Sequence, residues 1–220
     1  MTDEDAASPP AAIRRPLSSR NAGWAKSLAE KAVTAGFTPN QISRGSVGFA
    51  ALGAVFLALA PLGPGLVQWL MLILAAGACQ ARLVCNLIDG MVAVEGGQAT
   101  KDGPFWNDAP DRASDLLLLG GAGIAAANPT LGLLAVCLAI AAAYIRALGR
   151  AESQPEDFSG PMAKQHRMAA LTVGCVVAAF SPFGYTAEGI MTLTLWIIII
   201  GTGATIARRS LRLIAALKAG

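Results

Sequence analysis

Asn86, Asp89, Asn107 and Asp111 lie in two otherwise apolar or small-residue stretches. These are Asn86-Leu-Ile-Asp89-Gly90-Met-Val-Ala93 and, eight residues beyond Val94, Gly103-Pro-Phe-Trp-Asn107-Asp-Ala-Pro-Asp111-Arg112-Ala-Ser-Asp115. Residues three or four apart share a helix face, so each pair presents its oxygens together, and Asp115 continues the second stripe one turn deeper. Such a set suits a hard divalent cation, Mg2+ or Mn2+, which takes oxygen ligands and keeps waters or phosphate oxygens besides. Gly90 and Gly103 place no side chain beside it, which lets a ligand's phosphates approach the backbone. Helix pairing by hydrogen bonds alone is the plainer use of such residues. It does not account for so many acids with Arg82, Lys101 and Arg112 beside them.

The elements that must position these residues are membrane helices. The chain has 220 residues, 54% hydrophobic and 14% charged, with a mean hydropathy of +0.53; a soluble domain carries about a quarter charged residues. Several apolar runs reach or approach the ~20 residues that span hydrocarbon. A carboxylate at the bilayer centre costs about 2.5–3.5 kcal/mol, so acids kept near it are most simply kept for use. The pattern predicts an all-α integral membrane protein with six transmembrane helices, at 44–62, 66–95, 105–127, 130–150, 165–182 and 187–208. Short turns at Pro61–Pro64, Asn128–Pro129 and Ser181–Gly184 alternate with longer polar loops. The Lys and Arg residues all fall at the termini and around the two long loops. The positive-inside rule therefore places both termini, both long loops and the polar cluster in the cytoplasm.

Residues 1–17 read as a disordered tail, its start acidic and rich in Pro and Ala with no signal-peptide pattern. Residues 18–36 have apolar residues at helical spacing with basic residues between and Trp24 among them, an amphipathic helix for the inner leaflet. The body is 37–212 and a short tail covers 213–220. Cys79, Cys85, Cys137 and Cys175 fall in apolar segments, as small hydrophobes rather than a disulfide framework.

A second basic set follows the fourth span: Arg146, Arg150, Lys164 and Arg167. Lys164 and Arg167 share a face at the start of a helix, where an anion is favoured. The set suits a phosphate on an acceptor or a donor lipid, or else headgroup anchoring by snorkelling. His166, the one histidine, reads as a hydrogen-bonded surface residue rather than a catalyst.

The first motif resembles that of the CDP-alcohol phosphatidyltransferases, D-x2-D-G-x2-A-R-x8-G-x3-D-x3-D. This chain reads Asn86-x2-Asp89-Gly90-x2-Ala93-Val94-x8-Gly103-x3-Asn107-x3-Asp111, with the spacing intact. Asp111-Arg112-Ala-Ser-Asp115 looks like the phosphatidylinositol-phosphate synthase branch, and Thr38-Pro39-Asn40-Gln-Ile42-Ser43 resembles the family's entry to its first span. The resemblance implies transfer of a phosphatidyl group from CDP-diacylglycerol to a polar alcohol with release of CMP, in phospholipid biosynthesis. It implies metal ligation by Asn86, Asp89, Asn107 and Asp111, with Asp111 also the general base. Donor binding would fall to Gly90, Ala93, Gly103 and Arg112, and acceptor-phosphate binding to Arg146, Lys164 and Arg167. Asp108 and Asp115 would support the ligands from behind. It further implies a homodimer in a bacterial-type inner membrane, in contact with lipid and with no nucleic-acid partner.

The chain departs from the pattern at Asn86, Asn107 and Val94. Each Asn keeps a carbonyl but loses a charge, so metal would be held more weakly or as one ion rather than two. The departures keep a rival in view, a catalytically weak relative that binds CDP-lipid or metal as a regulatory or scaffolding subunit. A small transporter would need an internal repeat and polar groups near the midplane; the chain has no repeat, and its acids lie near one edge.

Overall fold

The computed structural model describes residues 22–95, 102–181 and 184–219, the side chains of residues 94, 95, 104 and 107 excepted. The tail expected at 1–17, Lys101 and the side chain of Asn107 lie outside that set. The helices are α1 (Gly23–Thr34), α2 (Pro39–Leu59), α3 (Leu66–Glu95), α4 (Gly103–Ala125), α5 (Pro129–Ala151), α6 (Lys164–Phe180) and α7 (Ala187–Ala219), with a 3-10 turn at Ala60–Leu62. The described residues form no strand.

Local sequence explains the helix ends. α2 starts at Pro39 rather than 44 because Thr38 and Gln41 form a capping box. The Thr38 hydroxyl accepts from the Gln41 amide at 3.3 Å and the Thr38 amide donates to the Gln41 side chain at 2.9 Å, with Pro39 pre-set for the first turn. At the turn into α5, the Asn128 side chain accepts from the Leu131 amide at 3.0 Å. α7 runs past 208 to Ala219 because no Gly or Pro interrupts Arg208 to Ala219.

Among the described residues, four helical stretches are long and apolar enough to cross a membrane: Pro39–Leu62, Leu66–Ala93, Pro129–Ala151 and Ala187–Ala219. The chain is thus a multi-pass membrane protein by length and composition. α4 carries Asp108, Asp111, Arg112 and Asp115 in its first half, and α6 has only 17 residues; neither reaches the same standard. The core packs Leu57, Leu72, Leu118, Leu119, Met168, Leu171, Met191, Leu195 and Ile198 between the helices. Other large apolar side chains, among them Leu52, Val173, Leu193 and Ile200, face outward. The four cysteines are free; Cys79 and Cys175 are buried, whereas Cys137 faces outward. α1 sets Ala25 and Ala29 against Leu87, Ile88, Met91 and Val92 of α3 and leaves Trp24 and Leu28 exposed.

α4 and α5 cross through glycines. A Cβ on Gly132 would lie 2.7 Å from Gly123 Cα and 2.8 Å from the Leu119 carbonyl oxygen, both backbone atoms that cannot swing aside. Gly132→Ala should therefore cost about 1–3 kcal/mol of stability through overpacking. Gly120→Ala, in open space, should be neutral or stabilising by up to about 1 kcal/mol. Thermal unfolding in detergent distinguishes the two, and equal midpoints would refute the close crossing.

Candidate functional site

The starts of α2, α4 and α6 meet the ends of α3 and α5 at one end of the bundle, so Ser43, Asp89, Asp111, Arg146 and Lys164 come to one level. α3 and α4 are consecutive in sequence but are not among the main packing pairs. Each packs on α2, while α3 also packs on α6 and α4 on α5. Helices joined by a short loop can bring their faces together as antiparallel neighbours, and the two motif faces do meet here. They do so only through side chains that reach across a gap between the two helices.

Pro110 has no N–H for the bond to the Trp106 carbonyl one turn back, and it lies inside α4 directly before Asp111. Arg82, wholly buried, donates to Asp111 Oδ1 at 2.9 Å, and the Asn86 amide donates to the same oxygen at 2.8 Å. Lys164 donates to Asn86 Oδ1 at 2.6 Å and makes a still closer contact with Asp111 Oδ2. Arg112 stands 3.7 Å from that second oxygen. Asp111 is thus ringed by three cations.

Asp89 is held differently. The Ser43 hydroxyl donates to its Oδ2 at 2.7 Å and the Gly90 amide to its Oδ1 at 2.6 Å. Ser43→Ala would leave a buried carboxylate short of a donor, at a cost of about 1–3 kcal/mol. Thermal unfolding reads this, and an unchanged midpoint would mean that Asp89 does not depend on the hydroxyl.

The remaining acids are paired away from this cluster. Asp115, wholly buried, binds Arg167 at 2.9 Å, and Arg167 also donates to the Met162 carbonyl at 3.2 Å. Asp108 pairs with Arg146 at 2.7 Å and Arg150 at 3.1 Å. Arg112, Arg146, Lys164, Arg167 and Arg209 line a shared hollow with Phe158. All three of the acceptor set, Arg146, Lys164 and Arg167, meet an acid of α4 as well as this hollow. Gly90 and Ala93 lie in the last turns of α3, and Gly103 is the first residue of α4. His166 is exposed and hydrogen-bonds the Pro161 carbonyl at 3.0 Å.

The segment between α5 and α6 is strapped to α7. Thr205 accepts from the Met162 amide at 2.9 Å and leaves no room for a side chain at Gly160, whose φ is +125°. Arg209 donates to the Ser159 carbonyl at 2.9 Å and Arg212 to the Ser159 hydroxyl at 3.0 Å. Burial works against the Asp157 carboxylate. The Ser159 hydrogen bonds and nearby Arg212 and Arg209 outweigh it and hold the group below the usual carboxylate range.

Sequence reasoning placed Arg82 only in a basic flank. Its spacing of four before Asn86 and seven before Asp89 puts it on their helix face, and that was the available signal. Ser43 stood in the quoted entry motif without a role. Arg209 carried no signal.

No family model matches the chain, and no curated protein matches it by sequence. Solved structures do match. The Mycobacterium tuberculosis phosphatidylinositol phosphate synthase PgsA1 with CDP-DAG bound aligns over 87% of this chain and 94% of its own, at 21% identity and a TM-score of 0.71. The fold is that of a phosphatidylinositol phosphate synthase. The same synthase with manganese and citrate aligns over 86% of this chain and 88% of its own, at 21% identity and TM-score 0.70. Its apo form aligns over 86% and 94%, at 22% identity and TM-score 0.65.

On this synthase fold, the described donors do not fit the divalent-cation site that the motif resemblance implies. A divalent ion needs several oxygens turned toward it. Here Asp111 and Asn86 turn theirs to Arg82, Lys164 and each other, and Asp89 turns both of its own to Ser43 and Gly90. Among the described residues no three His, Cys, Asp or Glu side chains gather, and the side chain of Asn107 lies outside that set.

Proposed function

We propose that the chain is a phospholipid-synthesising CDP-alcohol phosphatidyltransferase, which moves the phosphatidyl group of CDP-diacylglycerol to a polar alcohol and releases CMP. The observation that carries this reading is the convergence of the motif residues Asn86 and Asp111, with Asp89 beside them, on Lys164 of a synthase fold. The acceptor oxygen bonds to the lipid-side phosphorus, the bridging oxygen of the diphosphate leaves with CMP, and the acceptor's proton passes to Asp111. For this, Lys164 and Arg112 turn from Asp111 Oδ2 to the diphosphate. Gly90, Ala93 and Gly103 flank the nucleotide, and the hollow with Arg146 and Arg167 takes a phosphate on the acceptor. Asp108 and Asp115 hold those arginines in place.

The same reading takes α4 and α6 as two further spans, six in all, and lays α1 on the inner leaflet through Trp24 and Leu28. Both termini and the site then face the cytoplasm of a bacterial-type inner membrane, and the working form is a homodimer. A second reading, a CDP-lipid-binding relative without turnover, is favoured by the grip of Arg82 and Lys164 on Asp111.

The test is CMP release from CDP-diacylglycerol by purified protein in lipid, across a panel of acceptor alcohols, with Mg2+, Mn2+ or chelator. Acceptor-stimulated release is expected and names the acceptor. Binding of CDP-diacylglycerol without release for any acceptor would establish the second reading instead.

A further inference from the structure

The site already contains the positive charge for which a divalent ion would be recruited. The Lys164 ammonium lies between Asn86 Oδ1 and Asp111 Oδ2, with its side chain 15% exposed. Asn86 offers that ammonium a neutral carbonyl where the motif has a carboxylate. Around Asp111 and Lys164 the described residues set three carboxylates, Asp89, Asp111 and Asp115, against four cations, Arg82, Arg112, Lys164 and Arg167. A surplus of cations repels a divalent ion and attracts a diphosphate. Buried guanidinium nitrogens of Arg82, Arg112 and Arg167 have no hydrogen-bond partner among the described residues, so the cationic donors here are not all committed to the neighbouring acids.

We infer that Lys164 supplies the cationic charge that holds the diphosphate of a CDP-linked lipid, so that this chain binds its donor without a divalent cation. The inference rests on the proposed donor, CDP-diacylglycerol, and deepens that reading. An ammonium carries three donors. Asn86 engages one and fixes its aim, which leaves two for phosphate oxygens once Lys164 turns from Asp111. Lys164 is also the first residue of α6, whose unpaired amides favour the same anion.

The experiment is calorimetric titration of CDP-diacylglycerol into the detergent-solubilised full chain, once with chelator and once with excess Mg2+, for wild type, Lys164→Met and Lys164→Arg. Wild type should bind with affinities that agree within about twofold in the two conditions. Lys164→Met should lose about 10–100-fold in chelator, the effect of one charged hydrogen bond, and Lys164→Arg should keep most of the affinity. Mg2+ should restore part of the loss in Lys164→Met, which a merely structural lysine would not produce. Wild-type binding that requires Mg2+ would overturn the inference and leave the proposed transferase standing. Binding by Lys164→Met equal to wild type in chelator would overturn the lysine's role alone. No wild-type binding in either condition would overturn both this inference and the donor on which it rests. Should Lys164→Met fail to fold, the two wild-type titrations still decide the metal requirement and Lys164→Arg the role of charge.

Discussion

Asp111→Asn should lower acceptor-stimulated CMP release by about 10²–10⁴-fold, the range for removing a positioned general base. The amide keeps the shape of the carboxylate and its hydrogen bond to Arg82, but it cannot take a proton from the acceptor. The substitution also leaves Arg82, wholly buried, facing a neutral partner, and breaking a buried ion pair costs about 3–5 kcal/mol. Rates must therefore be compared well below the variant's own unfolding midpoint, alongside CDP-diacylglycerol binding. A folded Asp111→Asn protein that binds the donor but does not turn over fits the assigned base. One that turns over at the wild-type rate removes Asp111 from that role.

Arg167→Met should be the most destabilising single change among those named outside the catalytic cluster. Asp115 is 0% and Arg167 3% exposed, and they meet at 2.9 Å. Removing the arginine strands a carboxylate where neither water nor another cation among the described residues satisfies it, at about 3–5 kcal/mol. The double variant Arg167→Met with Asp115→Leu should recover most of that loss, because the charge and its partner leave together. Thermal unfolding of the three proteins in one detergent measures it. A double variant no more stable than Arg167→Met would mean that the arginine acts chiefly through its bond to the Met162 carbonyl.

Much of this was legible in the sequence. Spacing identified the two motif faces, and the turn at Asn128 and Pro129 separated α4 from α5, whereas the capping box of Thr38 and Gln41 that starts α2 at Pro39 went unread and the helix was expected from 44. Hydropathy found the helices, and four of them meet the length and composition of a span, whereas the charges of α4 and the shortness of α6 keep those two below that standard. The gap between α3 and α4 was not legible. Adjacency in sequence suggests contact, whereas both helices lean on α2. Nor was the place of Lys164, which comes to Asn86 across 78 residues of chain. No helical period relates such positions; only the packing of α6 against α3 does. The buried Arg209 is similar, since a double arginine at the end of a span reads as a headgroup anchor.

The bonds from Thr205, Arg209 and Arg212 to the segment ahead of α6 give the last helix a part in aiming the ammonium. Lys164 sits two residues beyond Met162, whose amide is tied to Thr205, so the lysine takes its bearing from a helix that contributes nothing to the motif. The cluster behaves like an instrument clamped from behind. Its alignment depends on α7 keeping its place against α5, and substitutions far along the chain from Asn86 and Asp111 can misdirect it with every motif residue intact.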